Sequence, residues 1–146
     1  MLNLKRILVP VDYSSSDQTA LAYATALARD QKAAITVLHV EEPPMAYGGG
    51  EMYYGVEQPD REELERMLAK LVPSDPSIDV KHRLLTGDPA SVIARAADEE
   101  RADLIVMGTH GRSGLTRLLM GSVAEVVVRH AKCPVLTVKQ PNSAPA

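Results

Sequence analysis

Asp103-Leu104-Ile105-Val106-Met107-Gly108-Thr109-His110-Gly111 opens the stretch that decides the fold, and Gly121-Ser122-Val123-Ala124-Glu125 closes it. Leu104 to Met107 is a continuous apolar run. A strand covered on both faces reads this way, and such strands belong to parallel sheets. Four of the chain's nine glycines lie between Gly108 and Gly121. A glycine at the carboxyl end of a strand lets the backbone approach a ligand closely, or take positive φ at low cost. Ser122 with Glu125 has capping-box spacing and starts a helix that runs to His130. Val126-Val127-Val128 would suit a strand on propensity alone. The cap, and the crossover that a parallel strand requires, favour the helix.

The same alternation recurs on either side of this stretch. Ile7–Val11, Ala34–Val40 and Val135–Val138 read as buried strands, and Asp103–Met107 as the fourth in chain order of five. Ile78–Leu85 alternates apolar with polar residues and is expected at an edge of the sheet. Ser15 with Gln18 fits a capping box for a helix whose apolar face is Ala20, Leu21, Ala24, Leu27 and Ala28. Asp60 with Glu63 opens a second helix, with Leu64, Met67, Leu68 and Leu71 inward and Pro73 as its stop. Asp88-Pro89 is a cap followed by proline at the first helical position, opening a third with Ile93, Ala96 and Ala97 inward. The order of elements predicts an α/β fold: a single-domain, open, mainly parallel five-stranded sheet with helices on both faces, Rossmann-like in plan. The domain is read over 1–139 and a tail without core residues over 140–146. Met45–Pro59, with three tyrosines and a Gly48-Gly49-Gly50 run, is the one long stretch without periodicity.

Composition narrows the function. Over 146 residues the formal net charge is −3, which disfavours sequence-independent nucleic-acid binding, since that needs a basic stripe. No apolar run approaches the roughly 20 residues of a membrane helix, and the N-terminus lacks the features of a signal peptide. Cys133 is the single cysteine, so an internal disulfide is impossible and a reducing, cytoplasmic setting is expected. It is expected to be a small buried hydrophobe before Pro134. His39, His82 and His130 lack metal-ligand spacing and read as structural or exposed, and no metal site is expected.

Gly121-Ser122 directly precedes a helix, and the free N–H groups of a first turn, with the helix dipole, attract anions such as phosphate. His110, Arg112 and Arg117 could add positive charge. The segment fits neither common nucleotide fingerprint, because it has no Gly-Lys pair and His110 occupies the place where a second dinucleotide-loop glycine would stand. In open parallel sheets ligands sit outside the carboxyl ends of the strands where strand order reverses. If the first strand lies beside the fourth, Pro10-Val11-Asp12 and the Gly108 loop flank one crevice, and Val40 lines its neighbouring wall. Asp12 is then placed either to cap the first helix or to accept from a base amino group or a ribose hydroxyl.

These segments together resemble the universal stress protein family over Leu4 to Val138. The resemblance is carried by Ile7–Asp12, Leu38-His39-Val40, Gly87-Asp88-Pro89, Asp103–Gly111, Gly121–Glu125 and Cys133–Leu136. Family members that bind ATP show Gly, two residues, Gly, nine residues, then Gly-Ser/Thr, and Gly108, Gly111 and Gly121-Ser122 satisfy that spacing. The resemblance therefore implies ATP binding (ADP or AMP as alternatives), with Mg²⁺ recruited by the phosphates. The implied nucleotide-binding residues are Pro10, Val11, Asp12, Val40, Met107, Gly108, His110, Gly111, Arg112, Gly121, Ser122 and Val123. It also implies a homodimer through the last strand, Val135–Val138, and a role in stress response or signalling with an unidentified protein partner. With no nucleophile and base arranged together, at most slow hydrolysis is expected. An ATP-using enzyme, such as one of adenylyl transfer, and an interaction module that binds no nucleotide stand as the alternatives.

Overall fold

The structure, a computed structural model, describes residues 3–43, 60–109 and 121–139. Within these, β1 (Arg6–Val11), α1 (Ser16–Gln31), β2 (Ala34–Glu41), α2 (Arg61–Ala69), β3 (Val80–Thr86), α3 (Pro89–Glu100), β4 (Leu104–Gly108), α4 (Ser122–His130) and β5 (Val135–Val138) follow in strict alternation. The five strands form one sheet in the order β3-β2-β1-β4-β5. Every strand pair is parallel. The expected fold class therefore holds, with "mainly parallel" sharpened to wholly parallel among the described residues, and β3 lies at an edge as its alternation required.

Pleating sorts the aliphatic residues onto two faces. Ile7, Val9, Val11, Ile35, Val37, Leu104 and Val106 pack with Ala20, Leu21, Ala24 and Ala28 of α1 and Leu68 of α2. Leu8, Leu38, Val40, Ile105 and Met107 turn the other way, onto Ile93, Ala96 and Ala97 of α3 and Ala124 and Val127 of α4. The alanine stripes bring α1 and α3 close to the sheet. α1 and α2 follow strands stepping one way across the sheet, α3 and α4 strands stepping the other, so right-handed crossovers place the pairs on opposite faces.

Local departures have local causes. The apolar run around β3 begins earlier than the strand: Ile78 is buried but precedes the ladder, its N–H bonded to the Asp75 carbonyl in a turn. The expected Ser15–Gln18 capping box does not form, since Ser15 is itself in right-handed helical conformation and its side chain makes no capping bond. Asp60 and Asp88 cap as expected, accepting from the Glu62 and Ser91 amides at 3.4 and 3.1 Å. For α4 the cap is Gly121 rather than Ser122, and Glu125 is turned outward to Arg129 at 3.2 Å, so that capping box is absent too. Met67, expected inward, is exposed, because α2 buries only Leu64 and Leu68. Cys133, expected buried, is half-buried, and burial pushes its thiol pKa up. Met45–Pro59 and the 140–146 tail lie outside the described residues.

One glycine is required by its conformation. Gly87, between β3 and the α3 cap, has φ +146°, and a Cβ there would come within 2.7 Å of Val92 Cγ2. Gly87→Ala is expected to lower stability by roughly 1–3 kcal/mol, through strain and the contact with Val92 together. Urea unfolding would show it as a lower midpoint at unchanged slope, whereas a wild-type midpoint would contradict the strain.

Candidate functional site

The pairing of β1 with β4, Ile7 opposite Leu104 and Leu8 opposite Ile105, marks the point where strand order reverses. A cavity of about 440 Å³ opens there, beyond the carboxyl ends of the strands. It falls within the roughly 300–1,000 Å³ range of small-molecule sites. Pro10, Val11, Asp12, Val40, Met107, Gly108, Gly121, Ser122 and Val123 all line it. Nine of the twelve residues singled out from the sequence are thus brought together around one space. His110, Gly111 and Arg112, and with them Arg117, lie outside the described residues.

The walls differ in character. Leu38, Val40, Ile93 and Met107 supply an apolar floor and side. The ends of β1 and β2 and the start of α1 contribute carboxyl groups: Asp12, Glu41 and Glu42, and Asp17. The opposite end is the start of α4, with Ser122, Val123 and Ala124 on the cavity. Gly121 has no side-chain oxygen to cap this helix, which leaves the first-turn amides without a cap from their own N-cap residue. Its own N–H donates to the Thr109 carbonyl, and the Thr109 N–H donates to Val138, so the start of α4 is tied to the ends of β4 and β5. Gly121 has φ −64°, and among the described residues only Gly87 is a glycine with positive φ. At Gly121 the lack of a side chain is therefore what matters, not access to the left-handed region.

The turn after β1 holds what the sequence reading missed. Tyr13 has φ +65°, unusual for a bulky residue. Asp17, 5% exposed in the first turn of α1, clamps this turn. One carboxyl oxygen accepts from the Asp12 amide at 3.2 Å and the other from the Tyr13 amide at 2.6 Å. Asp12 in turn accepts from the Ser14 amide at 3.1 Å, so it braces the turn as well as facing the cavity. The Tyr13 hydroxyl donates to the Leu64 carbonyl at 3.0 Å, and its ring lies 4.4 Å, centre to centre, from that of His39. His39 is buried, with Nδ1 2.9 Å from the Val11 carbonyl. A carbonyl only accepts, so Nδ1 carries the proton and His39 is structural, as expected. His82 likewise bonds the Leu71 carbonyl, and His130 is exposed. No group of metal-ligating side chains occurs among the described residues.

Burial is the main cause that raises the Asp17 carboxyl to about 7, followed by the charge of Asp12; the two backbone amides pull the other way without prevailing. A sequence signal for it did exist. Positions 17, 20, 21, 24 and 28 form one helical stripe, so Asp17 heads the apolar face of α1 and is a carboxyl where burial is expected.

The universal stress protein family model matches residues 3–139. Universal stress protein MJ0531 of Methanocaldococcus jannaschii is 34% identical over 143 residues, covering 94% of this chain and 84% of its own length. The solved structure of MJ0577, from the same organism, superposes with a TM-score of 0.82 at 30% identity, covering 97% of this chain and 100% of that one. A universal stress protein from Archaeoglobus fulgidus, solved in complex with dAMP, gives a TM-score of 0.68 at 26% identity, covering 94% and 100%.

A carboxyl whose folded pKa is raised keeps a proton that the unfolded chain has already lost. Its contribution is complete below the unfolded value of 3.8 and is lost as pH rises through about 7. Between pH 4 and 7.5 the wild type should lose about 2–4 kcal/mol of stability relative to Asp17→Asn. Urea titrations of both proteins across that range check this, and parallel pH profiles would contradict it.

Proposed function

The chain belongs to the universal stress protein family, and we propose that it is an adenine-nucleotide-binding module of that family, holding ATP in the cavity at the β1–β4 switch. The observation that carries this is the polarity of a single cavity: carboxyl groups at the β1 and β2 ends, an apolar wall between, and a helix N-terminus without a side-chain cap opposite. Base amino groups and ribose hydroxyls are donors and suit Asp12, while phosphates suit the first-turn amides of α4 and its dipole. Val40 and Met107 offer the base an apolar face. The glycine spacing Gly108, Gly111 and Gly121-Ser122 supports the same assignment, and the Archaeoglobus relative holds an adenine nucleotide.

In this reading Pro10, Val11, Asp12 and Val40 hold base and ribose, and Gly108, Gly121, Ser122 and Val123 hold the phosphates. His110, Gly111 and Arg112 complete the phosphate side. Mg²⁺, where bound, would be held by the nucleotide's own phosphates and would supply charge neutralisation there. The module acts in the cytoplasm through its nucleotide state, in stress response or signalling, with slow hydrolysis at most. Two copies associate through β5, whose Val135, Leu136 and Thr137 are only half-buried on the sheet edge of one chain.

ATP at about 100 times its dissociation constant should stabilise the fold by about 2.7 kcal/mol in a thermal-shift titration. Ser122→Asp separates the two ends of the cavity. Ser122 is exposed at the first position of α4, where an acidic residue favours the helix. The variant should therefore keep its melting temperature, lose about tenfold or more in ATP affinity, and change little toward adenosine. No shift with ATP, ADP or AMP in the wild type would leave the module without a nucleotide.

A further inference from the structure

We propose that Tyr13 is a positioning residue for the ligand: a side chain behind the cavity wall that fixes the direction of Asp12 by tying the β1–α1 turn to α2 and β2. This rests on the nucleotide reading above and adds to it a residue that touches no ligand.

Position 13 has φ +65°, which glycine adopts at little cost and a bulky side chain does not. The other non-glycine residues with positive φ among those described, Lys32 and Arg101, are helix C-caps. Tyr13 caps no helix, and its strained conformation stands beside a pocket. Such a turn persists only where its surroundings over-determine it. Here the side chain itself supplies much of the restraint. Its hydroxyl donates to the Leu64 carbonyl of α2 at 3.0 Å, 51 positions away in sequence. Its ring lies 4.4 Å, centre to centre, from that of buried His39 on β2.

These anchors bracket Asp12 on both sides. His39 Nδ1 donates to the Val11 carbonyl at 2.9 Å, which holds the residue before Asp12. The Tyr13 side chain holds the residue after it, and the Asp17 carboxyl accepts from the Tyr13 amide at 2.6 Å. With both neighbouring residues held, the direction in which the Asp12 side chain leaves the backbone is set. Val11, Asp12, His39 and Leu64 all line the cavity, whereas Tyr13 is not among the lining residues. Segments far apart in the chain therefore aim Asp12 through a residue that stands outside the cavity.

The opposite end of the cavity is anchored by its own bonds, from the Gly121 N–H to Thr109 and from the Thr109 N–H to Val138. Loosening Tyr13 therefore weakens recognition of the donor that Asp12 accepts, a base amino group or a ribose hydroxyl, and spares the phosphate end. A hydrogen bond weakens steeply as its angle departs from linear, so a small turn of Asp12 is enough.

Calorimetric dissociation constants for AMP, IMP, 2′-deoxy-AMP and 3′-deoxy-AMP test this, each analogue lacking one donor of AMP. In the wild type the analogue without the donor to Asp12 should bind about tenfold or more weaker than AMP, and Asp12→Ala should abolish that ratio. Tyr13→Phe keeps the ring and removes only the bond to Leu64, and should shrink the same ratio about threefold. Tyr13→Gly relieves the backbone strain but frees the turn, and should bring the ratio close to that of Asp12→Ala. The ATP-to-AMP ratio, which reads the phosphate end, should stay within about twofold in both Tyr13 variants, since the bonds that anchor that end are intact. A tyrosine with a merely structural role would lower the urea midpoint and move no ratio. AMP binding with the Asp12-dependent ratio unchanged in Tyr13→Phe and Tyr13→Gly overturns the positioning role and spares the nucleotide reading. If Tyr13→Gly does not fold, Tyr13→Phe decides alone. AMP binding in which Asp12→Ala alters no ratio overturns the proposal as well, because Asp12 then accepts from no ligand donor. Absence of AMP, ADP and ATP binding in the wild type overturns the nucleotide reading and, with it, the positioning role.

Discussion

Parallel pairing of β1 with β4 is the contact on which the cavity depends. Two strands that are distant in sequence lie side by side at the centre of the sheet, and the crossovers leaving them go to opposite faces. In such an arrangement a crevice forms outside the carboxyl ends of these two strands, and the cavity lies there. β1 delivers Asp12 to one side of it, β4 delivers Gly108 and Thr109 to the other, and α4 starts at its rim. The Gly121–Thr109 and Thr109–Val138 hydrogen bonds anchor that rim to the two strands beneath.

The two ends of the sheet divide the work of stability and recognition. At the amino ends the polar contacts are structural. Asp103 accepts from the Lys5 and Arg6 amides, Thr36 donates to Glu100 at 3.0 Å, and Arg83 pairs with the same carboxylate. These bonds fasten the end of α3 to β2 and β3 and satisfy a buried threonine between the layers. The surface ion pairs elsewhere, such as Arg66 with Glu62 and Lys132 with Asp98, are exposed and contribute little. At the carboxyl ends the chain keeps a bulky aromatic, Tyr13, at positive φ in a turn and a carboxyl heading an apolar helical stripe, whereas the other non-glycine residues at positive φ, Lys32 and Arg101, are helix C-caps at the amino ends. Strain and a buried titratable group concentrated at one pocket wall are characteristic of functional sites, and here the aliphatic core supplies the stability that offsets them.

Much of this was legible in particular residues. The apolar run of β4 announced a strand covered on both faces, and Asp88-Pro89 announced the α3 start because cap and proline each have a local physical reason. The capping boxes at Ser15 and Ser122 misled for a shared cause. A capping box specifies only residue types three apart, while the cap that forms depends on where the preceding chain arrives. At α4 that chain is tied by the Gly121 N–H to Thr109, which sets Gly121 as the N-cap. Met67 matched the helical period, but the short α2 packs its apolar face through Leu64 and Leu68 alone.

By itself the sequence determined the alternation of strands and helices, the apolar faces and the residues after each strand that carry polar chemistry, because periodicity, caps and turn residues act over a few positions. Only the tertiary structure decided that Asp12 and Asp17 meet as a carboxyl pair, that Tyr13 is held in a left-handed turn, and that the α4 start faces them across one cavity. Those facts depend on burial and on the strand order, and both are set by contacts between segments far apart in the chain. A local pattern can mark Asp17 as out of place on an apolar stripe; its proton is a consequence of what the whole fold packs around it.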